Sequence, residues 1–223
     1  MIDLKPLNSQ LFYAIREDIL SGTLQPNQKV SIEELAQRFG VSTTPVRDAI
    51  RRLESSGFLI VSPRKSVTIA CLDEKAIKDV FDMRIALESL ALELSINCIP
   101  TKIIENALQA NQQALDDYLN TGNVKYLEKL DYDQKYEFNI HQLLLRYCNN
   151  KKLVAVMEDI RGLIEWARGS PIGHPRSYDV AVREHMEIFI HLKTKDRMKA
   201  VEALRTHLMN SCKRTLKYWQ EKS

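Results

Sequence analysis

The chain has 223 residues, of which 44% are hydrophobic and 27% charged, and its formal net charge is +3. These values are ordinary for a globular protein and exclude both a disordered chain and a protein covered in basic residues. The length is enough for two modest domains that each bury a core.

No apolar run approaches the eighteen or so residues of a membrane span, and the N-terminus lacks the apolar stretch of a secretory signal. The four cysteines are far apart and form no CxxC pair: Cys71, Cys98, Cys148 and Cys212. We therefore expect a cytoplasmic protein, with no membrane partner, whose cysteines are reduced and mostly buried.

The first strongly patterned segment is a helix that begins after Ser31. Ser31 and Glu34 have the spacing of a capping box, and Gly40 provides the stop. The apolar face between them consists of Leu35, Ala36 and Phe39. A short helix followed by a sharp turn is therefore predicted.

A second helix follows that turn. Ser42 or Thr44 can cap it, and Pro45 is suited to its first turn. An apolar stripe recurs at helical spacing, made of Val46, Ala49, Ile50 and Leu53. The arginines point away from that stripe: Arg47, Arg51 and Arg52. One face of this helix is core and the other is cationic.

A basic hairpin comes next. Residues 58–61 have the composition of a strand, residues 62–66 form a turn, and residues 67–69 return. Arg64 and Lys65 would lie at the tip of this hairpin. Two helices, a turn and a basic hairpin together predict a winged helix-turn-helix, which binds duplex DNA with its second helix in the major groove.

The candidate DNA contacts lie at the start of the second helix and on the wing: Ser42, Thr43, Thr44, Arg47, Arg51, Arg64 and Lys65. For any one of them, a solvated surface position is the simpler interpretation. The ordered series favours the DNA-binding interpretation, and the positive charge is local, with five Lys and Arg against two acidic residues between Gly40 and Ser66.

Helical patterns dominate the rest of the chain. Asp73 can cap a long helix that Pro100 ends, and further patterns cover about 101–119, 125–147, 153–167, 179–192 and 196–219. No strong strand signal follows residue 70. The expected architecture is mainly α: a winged helix-turn-helix in 1–70, a short linker in 71–74 and an all-α antiparallel bundle in 75–223.

The histidines suggest chemistry within that bundle. Glu137 and His141 are four apart on one predicted helix, and the turn at 193–195 can bring His185 and His207 to comparable heights on antiparallel helices. One carboxylate and three imidazoles suit a divalent transition metal, zinc first, with nickel, manganese or iron as alternatives. The spacing alone does not require a metal, since a single helical His is more often a surface or core residue.

A series of short motifs lies within about residues 9 to 70: Gly22-Thr23-Leu24-Gln25-Pro26-Asn27, Leu35-Ala36, Gly40-Val41-Ser42, Thr44-Pro45-Val46-Arg47, Ala49, Arg52-Leu53 and Gly57-Phe58. These motifs carry a resemblance to the GntR family of bacterial transcription regulators. The resemblance implies a winged helix that binds operator DNA as a homodimer and is coupled to a C-terminal effector domain.

Three further segments contain the histidines of the second half: Glu137-Phe138-Asn139-Ile140-His141, Glu184-His185 and His207-Leu208. In these segments the second half resembles the FCD effector domain of the FadR subgroup of the same family. The resemblance implies a metal held by Glu137, His141, His185 and His207, although the usual acid is Asp. It also implies that Arg84 points into the effector cavity, whereas the helical spacing of the two residues allows an ion pair between Arg84 and Glu88 instead.

These observations predict a transcription regulator, not an enzyme, whose operator binding responds to a small carboxylate metabolite bound near the metal. Two alternatives remain at this point. One is a metal-dependent, hydrolase-like enzyme, because zinc with an open position can activate water. The other is a regulator whose metal is purely structural.

Overall fold

The structure, a computed structural model, describes residues 6–62, 66–71, 73–122, 138–168 and 178–222. Within these ranges the chain forms nine helices and one small sheet. The helices are α1 (Leu7–Leu20), α2 (Ile32–Phe39), α3 (Thr43–Ser55), α4 (Glu74–Ser95), α5 (Thr101–Thr121), α6 (Ile140–Tyr147), α7 (Lys151–Arg168), α8 (Tyr178–Lys193) and α9 (Arg197–Lys222), and the strands are β1 (Lys29–Val30), β2 (Leu59–Val61) and β3 (Val67–Ile69). The predicted fold class, a winged helix-turn-helix followed by a helical domain, is confirmed.

The chain divides into two compact units. One comprises Met1–Ala76 together with Asp159–Gly169, and the other comprises Ile77–Glu158 together with Ser170–Ser223. The second half of α7 therefore belongs to the same unit as the winged helix.

In the first unit, local sequence signals set the ends of the helices. Ser31 Oγ accepts a hydrogen bond from Glu34 N, and the Glu34 carboxylate accepts one from Ser31 N, which completes the predicted capping box. Gly40 ends α2 with a φ of +64°, a conformation that glycine adopts without strain. The turn between α2 and α3 is therefore as sharp as predicted.

The sheet of this unit has one strand more than the sequence predicts. β2 and β3 form the antiparallel wing, with Leu59 opposite Ile69, and β1 pairs with the other edge of β3, with Lys29 opposite Thr68. The resulting order is β1-β3-β2. Two residues are too short a segment for alternation to reveal, so pairing with β3 is what defines β1.

The second half of α7 packs on the end of the helix-turn-helix through Phe58. The rings of Phe58 and Trp166 stack with centroids 5.5 Å apart, and Leu163 lies against Gly57. Arg16 of α1 forms an ion pair with Glu165. These contacts extend the core of the first unit beyond the winged helix itself.

The second unit is built from helices, and beyond β3 the described part of the chain contains no strand. Asp73 Oδ1 accepts a hydrogen bond from Ala76 N at the start of α4, as predicted for a capping residue. α8 packs against both α5 and α9. Most of the buried side chains of these helices are apolar, and they include Ile104, Leu115, Ile140, Phe189 and Leu204.

One predicted helix is wrong in its extent. The pattern suggested a continuous helix from about 125 to 147, but Asn139 is extended, and α6 begins only at Ile140. The Asn139 side chain accepts hydrogen bonds from the backbone N–H groups of His141 and Gln142, and an Asn that caps in this way favours a helix start over helix continuation. Residues 123–137 lie outside the described residues.

The prediction of mostly buried cysteines is also wrong for two of the four. Cys148 is buried and Cys212 is partly buried, whereas Cys71 and Cys98 are exposed because they lie in connections just beyond β3 and α4. None of the helices in the described ranges is both long and apolar enough to cross a membrane.

Candidate DNA-binding helix and metal centre

The start of α3 presents hydroxyl groups to the surface. Ser42 is the N-cap residue, but its side chain makes no capping hydrogen bond, and Ser42 and Thr44 are both exposed. Thr43, the first residue of the helix, is partly buried. Hydroxyls in this place are the donors and acceptors that a recognition helix presents to base edges and phosphates.

The arginines of α3 divide into two kinds. Arg47 and Arg51 have side chains 40% and 79% exposed, and their acidic neighbours Glu33 and Asp48 lie at 3.8 and 3.9 Å. Exposed ion pairs at such distances are weak, so both guanidinium groups can exchange these partners for DNA. Arg52 instead donates a hydrogen bond to Ser9 Oγ at 3.2 Å and stacks over a ring of α1.

The predicted wing-tip contacts Arg64 and Lys65 lie outside the described residues. The strands that lead to this tip are in place, and Ser62 and Ser66 close the hairpin with a backbone hydrogen bond of 3.0 Å. The role of the two basic side chains stays a prediction.

Three histidines from three helices meet in the second unit. His141 lies near the start of α6, His185 lies on α8 and His207 on α9. Their candidate ligand atoms all lie within 4.8 Å of one another, and Nε2 of His185 is 3.2 Å from Nε2 of His207. The three-residue connection between α8 and α9 brings the last two side by side, as the antiparallel arrangement predicts.

His207 is the most deeply buried of the three, at 4% exposure. Its Nδ1 lies 2.7 Å from Glu184 Oε2, and Arg214 and Asn210 also donate hydrogen bonds to the Glu184 carboxylate. Burial lowers the pKa of His207 to about 4, against the opposing influence of Glu184, so its imidazole is neutral at pH 7. Burial by itself raises the pKa of Glu184, but the hydrogen bonds from His207, Arg214 and Asn210 outweigh it and lower this pKa to about 2.

His141 has a similar neighbour. Its Nδ1 lies 2.5 Å from Glu88 Oε2, and the other oxygen of Glu88 accepts a hydrogen bond from Arg84 Nε at 2.9 Å. Glu88 is only 1% exposed. Burial by itself raises its pKa, but the Arg84 guanidinium and the His141 imidazole favour the carboxylate more strongly and lower the pKa to about 2.

Arg84 therefore makes the ion pair with Glu88 that the helical spacing suggested. Its guanidinium also lies beside the histidines, with one terminal nitrogen 3.5 Å from His141 Nδ1. The fourth predicted ligand, Glu137, lies outside the described residues. The prediction that one continuous helix carries both Glu137 and His141 is wrong, because Asn139 is extended and caps a helix that begins at Ile140.

The sequence did not predict that Glu184, Arg214 and Asn210 belong to this site, nor that Glu88 contacts His141. Glu184 and Arg214 are 30 residues apart, and only the fold brings them together. The available signals were weak: Glu184 directly precedes His185, and Arg214 lies seven residues after His207 on the same helix face.

Two family models together match most of this chain. The model of the bacterial regulatory proteins of the gntR family matches residues 7–69, and the FCD domain model matches residues 79–210. The regulator YdhC of Bacillus subtilis (strain 168) is 28% identical over 93% of this chain and 90% of its own length, and the repressor RspR of Escherichia coli (strain K12) is 22% identical over 98% and 93%. Both are named as HTH-type transcriptional proteins.

A solved structure shows the same fold over the whole length. The structure of E. coli McbR/YncC matches with a TM-score of 0.69 and 19% identity, over 97% of this chain and 100% of that chain. The same conclusion follows from both family models, from the helix-turn-helix geometry and from the names of the relatives. The chain therefore belongs to the GntR family of bacterial regulatory proteins, with an FCD domain after its winged helix, and it is a DNA-binding transcriptional regulator and not an enzyme.

Proposed function

We propose that this regulator binds one divalent transition metal per chain, zinc by preference, through His141, His185 and His207. Glu137 is proposed as a fourth ligand. A small carboxylate-bearing metabolite that binds beside the metal then controls binding to operator DNA. The observation that carries the proposal is the convergence of three imidazoles from α6, α8 and α9.

The donor set fits such a metal. Zinc–imidazole bonds of about 2.0–2.1 Å in a tetrahedral site separate two ligand nitrogens by about 3.3 Å. The Nε2 atoms of His185 and His207 are 3.2 Å apart. A nitrogen ligand must also be unprotonated to bind a metal, and the lowered pKa of His207 keeps it so at neutral pH.

A carboxylate effector fits the same place. When bound, the metal would supply positive charge and a coordination position for an anionic group. Arg84 adds a buried cation next to His141. Its Nε–H is used by Glu88, but a guanidinium carries five N–H donors, which leaves capacity for a second carboxylate.

We also propose that the protein acts in the cytoplasm as a homodimer that binds a two-fold symmetric operator. One recognition helix reads one half-site, and symmetric sites are read by symmetric dimers. The contacts are proposed to come from Ser42, Thr43, Thr44, Arg47 and Arg51 of the helix and from Arg64 and Lys65 of the wing.

Control by the effector requires a difference in affinity. A ligand shifts the DNA-binding equilibrium only if it binds the DNA-competent and incompetent arrangements unequally. By linkage, operator DNA must then change the affinity for the ligand by the same factor, and typical couplings are about 1 to 3 kcal/mol.

The test starts with elemental analysis of protein purified without chelator. One metal per chain is expected in the wild type and in a His191→Ala control on α8, and loss of metal is expected in the double variant His185→Ala, His207→Ala. Stoichiometric metal that persists in the double variant would place the site elsewhere.

The effector is tested next. Small di- and tricarboxylates and sugar acids are screened by thermal shift, and the best ligand is titrated by calorimetry with and without operator. A difference in affinity between the two titrations is expected. If none of the carboxylates shifts the melting temperature while the metal is bound stoichiometrically, the metal is structural and the effector proposal fails.

A further inference from the structure

Two of the three clustered histidines each have a carboxylate next to Nδ1, and each of these carboxylates forms an ion pair with an arginine. On the α8–α9 side, Arg214 uses both terminal nitrogens, one on Glu184 Oε1 at 2.9 Å and one on Glu184 Oε2 at 2.7 Å. Asn210 Nδ2 donates a further hydrogen bond to Oε1 at 2.9 Å. A bidentate guanidinium and an amide together leave the carboxylate little freedom to rotate.

This fixed carboxylate determines the tautomer of His207. An ionised carboxylate can only accept hydrogen bonds, so Nδ1 of His207, which lies 2.7 Å from Glu184 Oε2, carries the ring hydrogen. In a neutral imidazole the lone pair is then on Nε2. That atom is the one that faces His185, at 3.2 Å.

A related arrangement, with a single hydrogen bond from the arginine, occurs at His141. Glu88 accepts from Arg84 Nε through one oxygen and lies 2.5 Å from His141 Nδ1 through the other. Both oxygens of Glu88 therefore already have a partner, one in Arg84 and one in His141. Neither Glu88 nor Glu184 is placed to be a metal ligand.

We propose that Glu184 and Glu88, held by Arg214 and Arg84, are positioning residues that fix the tautomer and ring orientation of His207 and His141 so that each Nε2 faces the metal. This inference rests on the proposed metal site. Partners of this kind orient metal-binding histidines in other proteins, and their loss weakens metal binding by about 10- to 100-fold.

The test uses Glu184→Ala, with Glu187→Ala as the matched control, because Glu187 is an exposed acidic residue on the same helix. The first measurement needs no metal. Long-range ¹H–¹⁵N spectra of the full-length chelated protein should show the Nδ1–H tautomer of His207 in the wild type and the control. In Glu184→Ala this tautomer loses its acceptor, and a mixture is expected.

The second measurement is zinc affinity, by competition with a chromophoric chelator. Glu184→Ala should lose about 10- to 100-fold, and the control should match the wild type. Wild-type affinity and an unchanged tautomer in Glu184→Ala would overturn the inference. If the wild type binds no zinc, the proposed function fails, but the tautomer measurement still decides the role of Glu184.

A second variant covers the case in which Glu184→Ala does not fold. Glu184→Asp keeps a charge for Arg214 but withdraws the carboxylate from His207 by one methylene. A smaller loss of zinc affinity is expected from it. Wild-type zinc affinity together with an unaltered His207 spectrum in this variant would equally overturn the inference.

Discussion

The substitution Gly162→Ala tests how the second half of α7 packs in the winged-helix unit. A Cβ added at this position would lie 2.5 Å from Cζ and 2.7 Å from Cε2 of Phe58, and 2.9 Å from Nε of Arg16. Phe58 cannot easily retreat, because it is buried and stacked on Trp166. Gly162→Ala therefore has two opposing effects on stability. Alanine has the higher helix propensity, but its methyl group has too little room beside Phe58.

The sizes of these two effects decide whether Gly162→Ala raises or lowers the free energy of unfolding. Replacing a glycine inside a helix by alanine stabilises the helix by about 1 kcal/mol. Forcing an extra methyl group into a packed interior costs about 1–3 kcal/mol, and distances this far below van der Waals contact place Gly162→Ala at the upper end of that range. We expect a net loss of about 1–2 kcal/mol in the free energy of unfolding of this unit.

The assay is urea denaturation in a Trp219→Phe background, so that the fluorescence of Trp166 reports on this unit. Phe58→Leu provides the control, because a smaller side chain leaves room for the added methyl group. In the Phe58→Leu background, Gly162→Ala should be neutral or stabilising. If Gly162→Ala stabilises the otherwise unchanged protein by about 1 kcal/mol, α7 does not pack on Phe58 and the reasoning is refuted.

Three further outcomes are expected. Arg47→Ala should weaken specific DNA binding by about 1 to 3 kcal/mol, measured by fluorescence anisotropy, with non-specific binding much less affected; equal losses on both DNAs would contradict a role in base recognition. In metal-free protein, the unfolded chain binds more protons than the folded chain between about pH 6.5 and 4, because the pKa of His207 falls from 6.5 to about 4 on folding. His207 should therefore lower the free energy of unfolding by about 3 kcal/mol between pH 7 and pH 4. Glu88 and Glu184 should lower it further between about pH 4.5 and 2, because the unfolded chain protonates these two carboxylates before the folded chain does. A stability that rises on acidification would contradict this. Chelation should lower the melting temperature of the wild type, and added zinc should restore it; no change on chelation would argue against a bound metal.

Local signals in the sequence were enough to predict the helix-turn-helix. The capping pair Ser31 and Glu34, the turn at Gly40 and the apolar stripe of α3 each act within a few residues, so their spacing specifies the structure directly. The pairing of His185 with His207 was also predictable, since a short turn joins their two helices.

Other features depend on contacts between residues that are distant in sequence. The strand β1 exists because β3 lies beside it, and the helical pattern around Gly162 gives no indication that Phe58 packs against it. Glu184 and Arg214 each occupy an ordinary position on an amphipathic helix. Hydrophobic periodicity predicts which face of a helix is buried, but it does not predict which residue of another helix a side chain contacts. At Asn139, the capping side chain starts a helix at Ile140, although the helical pattern of the sequence continues across this residue.

The most direct test of the metal site is X-ray absorption at the zinc K-edge on protein purified without chelator. We expect a four-coordinate zinc with nitrogen and oxygen ligands at about 2.0–2.1 Å and the multiple-scattering signature of three imidazoles. That signature should be lost in the double variant His185→Ala, His207→Ala. A spectrum with fewer imidazoles, with sulfur ligands or with no bound metal would contradict the assignment of His141, His185 and His207 as the metal centre.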